Sequence, residues 1–377
     1  MKKIAFVIRL FQDKGFHGGG EKIFYKLIGR FIENGFNVDI YCSSSDIKSY
    51  EGISNIFIVN KPYNHLDPEV VEDFYTEVKA MTADKGYDFI ISENITPPLD
   101  IVFLQGHSVT YRRNKLKGLF EQFLYNFRPV KNKRIKYEQK WLKQGYRRIF
   151  TLSNILKNDL IENFNYPEDN ISVVYPGVEM PEFIPEEKTE SEFSFGLSAP
   201  GFKRKGGYIF IKALSLMKNQ GYKFKAKVIY PKSRDNLWVK TLVKIYGLEN
   251  FIEFLPFQKN MQEFYSSIDC LVMPSLEETF GLVALEAMSY KKPSIVSSFT
   301  GLSEILKDGL DGLIFDMNKN PSKNLAEKMA FLMDNQDKIA GIIEHGYETA
   351  KIYSWDKTYN DLIRELSQLN KSERHIK

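Results

Sequence analysis

Short apolar segments of strand length alternate with helical segments along the sequence. The first such unit lies at the N-terminus, where the apolar run Ile4–Leu10 precedes a helical pattern over Glu21–Asn34 and a second strand pattern over Phe36–Cys42. Apolar runs of about four to eight residues are typical of parallel strands that are buried on both faces. A strand–helix–strand unit of this kind predicts a doubly wound, parallel α/β sheet.

The second half of the sequence repeats this alternation. Its strand candidates are Phe193–Leu197, Lys225–Tyr230, Phe251–Leu255, Cys270–Met273 and Ser294–Ser297. A single hydrophobic core stops growing at roughly 250 to 300 residues, so a chain of 377 residues favours two domains. The acidic segment Glu179–Glu192 contains two prolines and is typical of a linker. We therefore predict an α/β protein with one domain over residues 1–176 and a second over 177–355.

Neither the apolar runs nor the cysteines indicate a membrane-spanning or secreted protein. No apolar run approaches the ~18 residues that a transmembrane helix needs. The residues Met1–Ile4 lead straight into a strand pattern, so no signal peptide is predicted. Cys42 and Cys270 are far apart in the sequence, which favours two buried, reduced thiols over a disulfide or a thiolate metal site. We expect a cytoplasmic protein.

The most specific motif lies at residues 274–288. Glu278 follows a predicted strand, and Glu286 lies on the helix that comes next. Carboxylates in these two places could bind hydroxyl groups, one set on a sugar and the other on a ribose. A phosphate is favoured at the start of that helix, where backbone N–H groups have no helical partner. The N–H groups at this start are those of Phe280, Gly281 and Leu282. Taken alone, two glutamates are more often solvated residues of a helix surface.

This segment resembles the signature of glycosyltransferase family 4. The shared pattern is Pro-Ser, then Glu-x-Phe-Gly, seven residues between the two glutamates, and Glu-Ala-Met, and it continues through Lys292–Val296 and Asp308–Leu313. The family's GT-B fold implies two Rossmann-like, doubly wound domains that face each other across a cleft, with the active site in that cleft. The last helix of the family crosses back onto the first domain, which implies the same for the helix over about 356–377 that follows Trp355.

A glycine-rich loop precedes the first predicted helix. By itself this loop also invites a dinucleotide-binding interpretation, but Ile23 stands where that fingerprint needs its third glycine. The run Gly18–Glu21 resembles instead the family's Gly-Gly-x-Glu entry to the first helix. The resemblance implies that Gly19 and Gly20 let the backbone approach the donor's phosphates and the acceptor, since no Cβ stands in the way.

A basic loop follows the first strand of the second half. A Lys/Arg run in this position is more often a solvated loop, but Phe202–Gly207 resembles the family's Lys-Gly loop. The resemblance implies that Arg204 and Lys205 bind the donor diphosphate and stabilise the charge that develops on the leaving group. Lys203 could take the place of Arg204, because the position of the arginine shifts within the family.

Two residues of the first domain are candidates for the reacting centre. The runs Asn94–Asp100 and Gln105–Ser108 resemble the lipopolysaccharide core glucosyltransferase branch of the family, which carries an Asp or a His next to the reacting sugar. The resemblance makes Asp100 and His107, together with Glu278, candidate catalytic residues that orient the acceptor or support its deprotonation. The simpler alternatives are a loop cap for Asp100 and a hydrogen-bonded buried histidine for His107.

The reaction that the resemblance implies is transfer with retention by front-face displacement. The leaving phosphate then takes the acceptor's proton, so no enzyme nucleophile is needed. No cofactor is expected, and the sequence has no Asp-x-Asp run that would hold a divalent metal. The implied donor is a nucleotide-diphospho-sugar, UDP-hexose first and UDP-N-acetylhexosamine or GDP-sugars next, and the implied acceptor is a growing lipopolysaccharide or lipooligosaccharide glycan. The alternatives are a nucleotide-sugar epimerase of the same fold and a non-catalytic, membrane-associated sugar-binding protein.

Positive charge is concentrated between Arg112 and Arg148. This segment has 13 Lys and Arg against two acids, a balance of +11, whereas the whole chain carries +4. It also carries aromatic residues at near-helical spacing, among them Phe120 and Phe127. Dense cations beside an apolar face are typical of an interfacial anchor, so we expect peripheral association with the anionic inner face of the cell membrane. The alternatives are a core-packed helix with solvated charges, and single-stranded nucleic acid, which the glycosyltransferase motifs disfavour.

Overall fold

The computed structural model describes residues 2–12, 19–47, 51–61, 63–64, 67–115, 129–184, 192–230, 236–258 and 260–374. The chain divides into two units, one formed by Met1–Tyr175 with Thr358–Lys377 and the other by Pro176–Lys357. Each unit is a parallel sheet, and helices connect most of its consecutive strands. This architecture confirms the predicted α/β class with two Rossmann-like, doubly wound domains.

The first unit is built on a parallel sheet of seven strands. The strands are β1 (Lys3–Phe11), β2 (Asn37–Ser45), β3 (Ile53–Ile58), β4 (Phe89–Glu93), β5 (Ile101–Leu104), β6 (Arg148–Thr151) and β7 (Ile171–Val173). The helices are α1 (Gly19–Glu33), α2 (Pro68–Thr82), α3 (Val109–Asn114), α4 (Pro129–Gln144) and α5 (Asn154–Phe164). The spatial order is β3-β2-β1-β4-β5-β6-β7, so the direction of winding reverses between β1 and β4. Ligands of doubly wound sheets bind at such a reversal, outside the carboxyl ends of the strands.

The packing of α1 on β1 shows why the N-terminal residues fold in this way. Residues 4–7 of β1 have no exposed surface, as expected for a strand that is covered on both faces. Phe24 and Phe31, two turns apart on α1, both meet Phe6 edge-on, with ring centroids 5.7 and 5.5 Å away. These contacts fix α1 over the sheet with its first residues, Gly19 and Gly20, beyond the carboxyl end of β1.

The second unit is built on a parallel sheet of six strands. The strands are β8 (Phe193–Ser198), β9 (Phe224–Ile229), β10 (Ile252–Leu255), β11 (Cys270–Met273), β12 (Ser294–Ser297) and β13 (Leu313–Phe315). The helices are α6 (Gly207–Asn219), α7 (Asn236–Ile245), α8 (Gln262–Ser266), α9 (Leu282–Ser289), α10 (Pro321–Asp334) and α11 (Gln336–Ile352). The spatial order is β10-β9-β8-β11-β12-β13, so winding reverses between β8 and β11. The basic loop follows β8 and the glutamate motif follows β11, so both leave the sheet at this reversal.

A final helix, α12 (Trp355–Arg374), returns the chain to the first unit. There the Thr358 hydroxyl donates to the Tyr175 carbonyl at 3.0 Å, and the Tyr359 ring packs edge-on against Phe31 at 5.1 Å. The Ser172 hydroxyl on β7 donates to the Glu365 carboxylate at 2.6 Å. In the part of the chain that the structure describes, no helix, α12 included, is long and apolar enough to cross a membrane.

The two cysteines are buried in the sheets and do not pair. Cys42 lies on β2 and Cys270 on β11, and neither side chain is exposed. Burial raises the pKa of the Cys42 thiol from 9.0 to about 12, and it also raises the pKa of Cys270. The expectation of two buried thiols is confirmed.

We expect both thiols of the native protein to resist an aromatic disulfide reagent at mildly alkaline pH, and both to react once the chain is denatured. The folded-state pKa of Cys42 lies above the unfolded value, so its contribution to stability is complete below pH 9.0 and is lost as the pH rises toward about 12. Urea midpoints measured across this window should fall, and Cys42→Ala should make that fall smaller. Rapid labelling of the native protein would contradict this expectation.

Candidate functional site

In the second unit, the basic loop packs backbone to backbone on the loop that carries the first glutamate. The Leu276 amide donates to the Arg204 carbonyl at 3.0 Å. Gly206 has a φ of +73°, and a Cβ at this position would overlap with the carbonyl oxygen of Pro274. Glycine is needed here for two reasons, because L residues rarely adopt this backbone conformation and because nothing larger fits.

This packing brings the predicted cation Lys205 into direct contact with the predicted carboxylate Glu278. The Lys205 ammonium donates to Glu278 Oε2, and the two side chains are only 15% and 12% exposed. The backbone of Glu278 is held from its other side, since its carbonyl accepts a hydrogen bond from the Gly301 amide at 3.2 Å. A charge with so little exposure to water is tolerated only when it is paired and hydrogen-bonded. The ion pair therefore fixes both charges at the carboxyl edge of the sheet.

The remaining cations of the basic loop are exposed. The Arg204 guanidinium lies 3.4 Å from the Glu277 carbonyl, at the limit of a hydrogen bond. Lys203 is exposed as well. Both side chains can reach a ligand, and the predicted role of Arg204 stays a prediction.

The start of α9 has the form of an anion site. Gly281 precedes the helix with a φ of +111°, and a Cβ there would press on Met273 and Thr300. The Phe280 ring is buried, and its carbonyl accepts from the Leu302 amide at 2.6 Å. The backbone is thereby locked just where Leu282 begins α9. Helix N-termini attract anions through their N–H groups and their dipole.

Glu286 lies one turn into α9 and is held by a tyrosine that the sequence analysis did not single out. The Tyr265 hydroxyl donates to Glu286 Oε2 at 2.8 Å, and only 1% of the tyrosine is exposed. Burial and then the charge of Glu286 raise the pKa of Tyr265 well above its usual value. The only hint in the sequence is an aromatic pair, Phe264 and Tyr265, shortly before strand β11.

In the first unit, the start of α1 meets the loop that follows β5. A Cβ at Gly20 would overlap with the side-chain oxygen of Gln105, so the close approach requires glycine. Gly19 is the first residue of α1, whereas Gly18 lies outside the described residues. The structure therefore places Gly20 beside the loop that holds His107.

His107 is buried and is held by a second residue that the sequence analysis missed. Its Nδ1 lies 3.3 Å from the Asp159 carboxylate on α5, and its ring stacks on Tyr111 with 3.8 Å between centroids. The Ser108 amide and hydroxyl each donate to Asp159 at 2.9 Å. Among the described residues, no hydrogen-bond partner faces His107 Nε2. Since an ionised carboxylate only accepts, the contact assigns a proton to Nδ1.

Asp100 lies at the amino end of β5, whereas His107 follows the carboxyl end of the same strand. The Asp100 carboxylate accepts from the Ile90 amide at 3.1 Å and lies 3.7 Å from the Arg147 guanidinium. Because β5 runs from Asp100 toward His107, the two candidates end up at opposite ends of the strand. The contacts of Asp100 tie β4 to β6, and we no longer count it among the candidate catalytic residues.

Glu93 is a further, partly buried acid at the reversal of the first sheet. It ends β4, and its carboxylate accepts from the Arg9 amide at 2.9 Å. Burial raises the pKa of Glu93, while that hydrogen bond lowers it. Glu93 lines a small pocket with Gln12, Glu21 and Tyr25. Nothing in the local sequence sets this glutamate apart, so the sequence does not predict its place in the pocket.

The described ranges hold no group of three histidine, cysteine, aspartate or glutamate side chains that could bind a metal ion. The charges at the carboxyl edge of the second sheet come instead from Lys205, Glu278 and Glu286, together with the start of α9. Such an edge can bind a ligand that carries both an anionic group and hydroxyl groups.

Two family models match the chain. Residues 17–180 match Glycosyltransferase Family 4, and residues 182–349 match Glycosyl transferases group 1. Together with two parallel α/β units, these matches define a glycosyltransferase. The predicted resemblance to glycosyltransferase family 4 is confirmed by its model over residues 17–180, and the Glu278–Glu286 motif lies within the second match.

The relatives include both curated sequences and solved structures. An uncharacterized glycosyltransferase of Methanocaldococcus jannaschii is 27% identical over 87% of this chain and 84% of its own length. Further curated glycosyltransferases align over 49% to 59% of their own length. WaaG, a glycosyltransferase involved in lipopolysaccharide biosynthesis, superposes with a TM-score of 0.77 at 18% identity, over 96% of this chain and 99% of its own. Anabaena HepE in complex with UDP-glucose has a TM-score of 0.71 at 16% identity, over 98% and 100%. These structures share the fold, and the predicted GT-B class is confirmed.

The close approach at Gly206 predicts a large effect of a small substitution. Gly206→Ala should cost about 1–2 kcal/mol for the left-handed backbone and about 1–3 kcal/mol more for the overlap with Pro274. Gly221→Ala is the matched control, because its φ is +89° but nothing lies within 4 Å of an added Cβ. The control should lose only the backbone part. Equal urea midpoints for the two variants would contradict the proposed packing.

Proposed function

We propose that the chain is a retaining glycosyltransferase that transfers a hexose from a nucleotide-diphospho-sugar, UDP-hexose first, to a growing surface glycan such as lipopolysaccharide or lipooligosaccharide. The observation that carries this proposal is the Lys205–Glu278 ion pair at the reversal of the second sheet, next to the start of α9. The UDP-glucose in the HepE structure and the role of WaaG in lipopolysaccharide biosynthesis support the donor and the acceptor.

The charges of the second unit suit the parts of such a donor. Lys205 and Arg204 bind the diphosphate, and because an ammonium has three N–H donors, Lys205 can hold Glu278 and a phosphate oxygen together. The N–H groups of residues 280–282 receive further phosphate oxygens. Glu278 accepts hydrogen bonds from sugar hydroxyls, and Glu286 accepts them from the ribose.

The proposed reaction needs no enzyme nucleophile. The bond between the sugar C1 and the leaving phosphate oxygen breaks, and the acceptor oxygen bonds to C1 on the same face. The acceptor proton passes to the leaving phosphate. Lys205 and Arg204 stabilise the charge that develops on the diphosphate, which is the part that a metal ion plays in other transferases. His107 is our candidate for the residue that orients the acceptor.

We also propose peripheral association with an anionic membrane surface through about 112–148. Within this segment, residues 116–128 lie outside the described part of the chain. Several cations of α4 already have intramolecular partners: Lys133 pairs with Asp67 and Glu69, Arg134 with Glu138, and Lys140 with Glu72. Lys136 and Lys143 are exposed. The attraction to anionic lipid therefore rests on fewer charges than the count of 13 indicates.

The donor site predicts a loss of activity in two variants. Lys205→Ala and Glu286→Ala should each lower nucleotide release by about 10²-fold or more, because each removes a polar partner of the donor. The assay offers a panel of UDP-hexoses, UDP-N-acetylhexosamines and GDP-sugars, with acceptor glycan, in excess EDTA. Full activity of the wild type in EDTA is expected, since fixed cations replace the metal.

Lys225→Ala is the control for these variants, because Lys225 is an exposed lysine of the same unit that lies 3.6 Å from Glu192. It should behave like the wild type. Wild-type turnover by a folded Lys205→Ala or Glu286→Ala protein would refute the donor site. Loss of activity in EDTA that Mg²⁺ restores would reveal a metal site, and absence of turnover with every donor would favour a non-catalytic protein.

The membrane proposal predicts binding to vesicles that contain anionic lipid and weaker binding as the salt concentration rises. Lys136→Gln with Lys143→Gln should reduce the sedimented fraction, because exposed cations attract the surface. Lys240→Gln with Lys244→Gln, on exposed positions of α7, removes the same charge elsewhere. Equal losses in both double variants would mean that the attraction is not specific to α4. A wild-type protein that ignores anionic vesicles at low salt would end the membrane proposal.

A further inference from the structure

The buried side chain of Tyr265 contacts both Glu286 and the first turn of α9 in the candidate donor site. Its hydroxyl lies 2.8 Å from Glu286 Oε2 and 3.3 Å from the Val283 carbonyl in the first turn of α9. A tyrosine hydroxyl has a single proton, and a charged acceptor at the shorter distance receives it preferentially. The hydrogen bond is therefore assigned to the Glu286 carboxylate.

The tyrosine itself is held in place on both sides. Its ring centroid lies 5.1 Å from that of Tyr290, at the end of α9. Its neighbour Phe264 packs against β8, where a side chain on Gly196 would collide with Phe264 and Ile268. The close contact at Gly196 thus allows α8 to pack directly on the sheet. This packing fixes the position from which the Tyr265 hydroxyl donates to Glu286.

The hydroxyl also stays a donor over a wide pH range. Tyr265 is buried next to a carboxylate, and both conditions disfavour a tyrosinate. A carboxylate can accept about four hydrogen bonds, so one bond from Tyr265 sets its orientation and leaves capacity for ligand hydroxyls. Such preorganisation improves binding because less side-chain freedom is lost when the ligand arrives.

We propose that Tyr265 is a positioning residue that holds the Glu286 carboxylate in the orientation that receives the ribose hydroxyls of the nucleotide sugar. This inference rests on the proposed function, because it takes the ribose as the ligand of Glu286. Tyr265 does not touch the reacting atoms, so its removal changes donor binding and not the chemical step.

The test compares Tyr265→Phe with the wild type in the full chain. We expect the Kd for UDP and the KM for the donor to rise about 10-fold, the size of one hydrogen bond to a charged group, while kcat stays within about 2-fold. Tyr222→Phe is the matched control, because Tyr222 donates to the Asp334 carboxylate at 2.6 Å outside the candidate site. It should leave the Kd for UDP unchanged.

A second comparison shows whether Tyr265 acts through Glu286. If it does, Tyr265→Phe with Glu286→Gln should bind UDP no more weakly than Glu286→Gln alone. Removing the ribose 2′-hydroxyl, with 2′-deoxy-UDP, should cost the wild type more affinity than it costs Tyr265→Phe. A purely structural role would lower the thermal midpoint of Tyr265→Phe and would not change the preference for UDP over its deoxy form.

The outcomes separate this inference from the proposed function. Wild-type UDP affinity in Tyr265→Phe, together with weak binding in Glu286→Gln, would overturn the role of Tyr265 and leave the donor site standing. Fully additive losses in the double variant would also overturn it. Unchanged UDP and GDP binding in a folded Glu286→Gln protein would overturn the donor site, and the role of Tyr265 with it.

Discussion

At Gly206 the backbone passes so close to the carbonyl oxygen of Pro274 that no side chain fits between them. This approach exists because β8 and β11 are neighbours in a parallel sheet, so that the loops after them leave the same edge. Once the loops touch, Lys205 and Glu278 must pair, since neither charge has enough contact with water to stand alone. The position of Glu278 then determines where the chain turns into α9, and hence where Glu286 stands. A backbone contact between two loops thus determines where the charged side chains of the candidate donor site lie.

The sequence predicts the fold well because the physics behind the pattern is local. A strand that is covered by helices on both faces must be apolar along its length, and the runs at Ile4–Leu10 and Cys270–Met273 show this directly. The spacing of Glu278 and Glu286 predicts their places on a loop and a helix for the same reason. Tyr265 and Asp159 could not be predicted, because their partners are 21 and 52 residues away along the chain. Those contacts depend on which helices pack side by side in the fold. The periodicity of the sequence does not show which helices these are.

Two features show how a correct local pattern can still give an incomplete picture. Asp100 is only seven positions before His107, yet β5 lies between them, so the two residues are at opposite ends of that strand. The direction of a strand matters more here than nearness in sequence. In the basic segment, the count of charges along the sequence is also misleading. Acids at the start of α2 pair with Lys133 and Lys140 on α4 and neutralise part of its positive charge. Counting charges along the chain overstates what a membrane can reach, since ion pairs form between helices that are far apart in sequence.

The return of α12 to the first unit has a consequence for how the protein is made. The first unit contains residues from both ends of the sequence, and Phe31 of α1 packs against Tyr359 of α12. During synthesis, the ribosome has therefore produced the whole of the second unit before the first can complete its core. The second unit is continuous in sequence and can fold as soon as it emerges. The unit that is translated first is therefore the unit that completes its fold last. Until α12 is made, the first unit exposes apolar surface to which chaperones can bind.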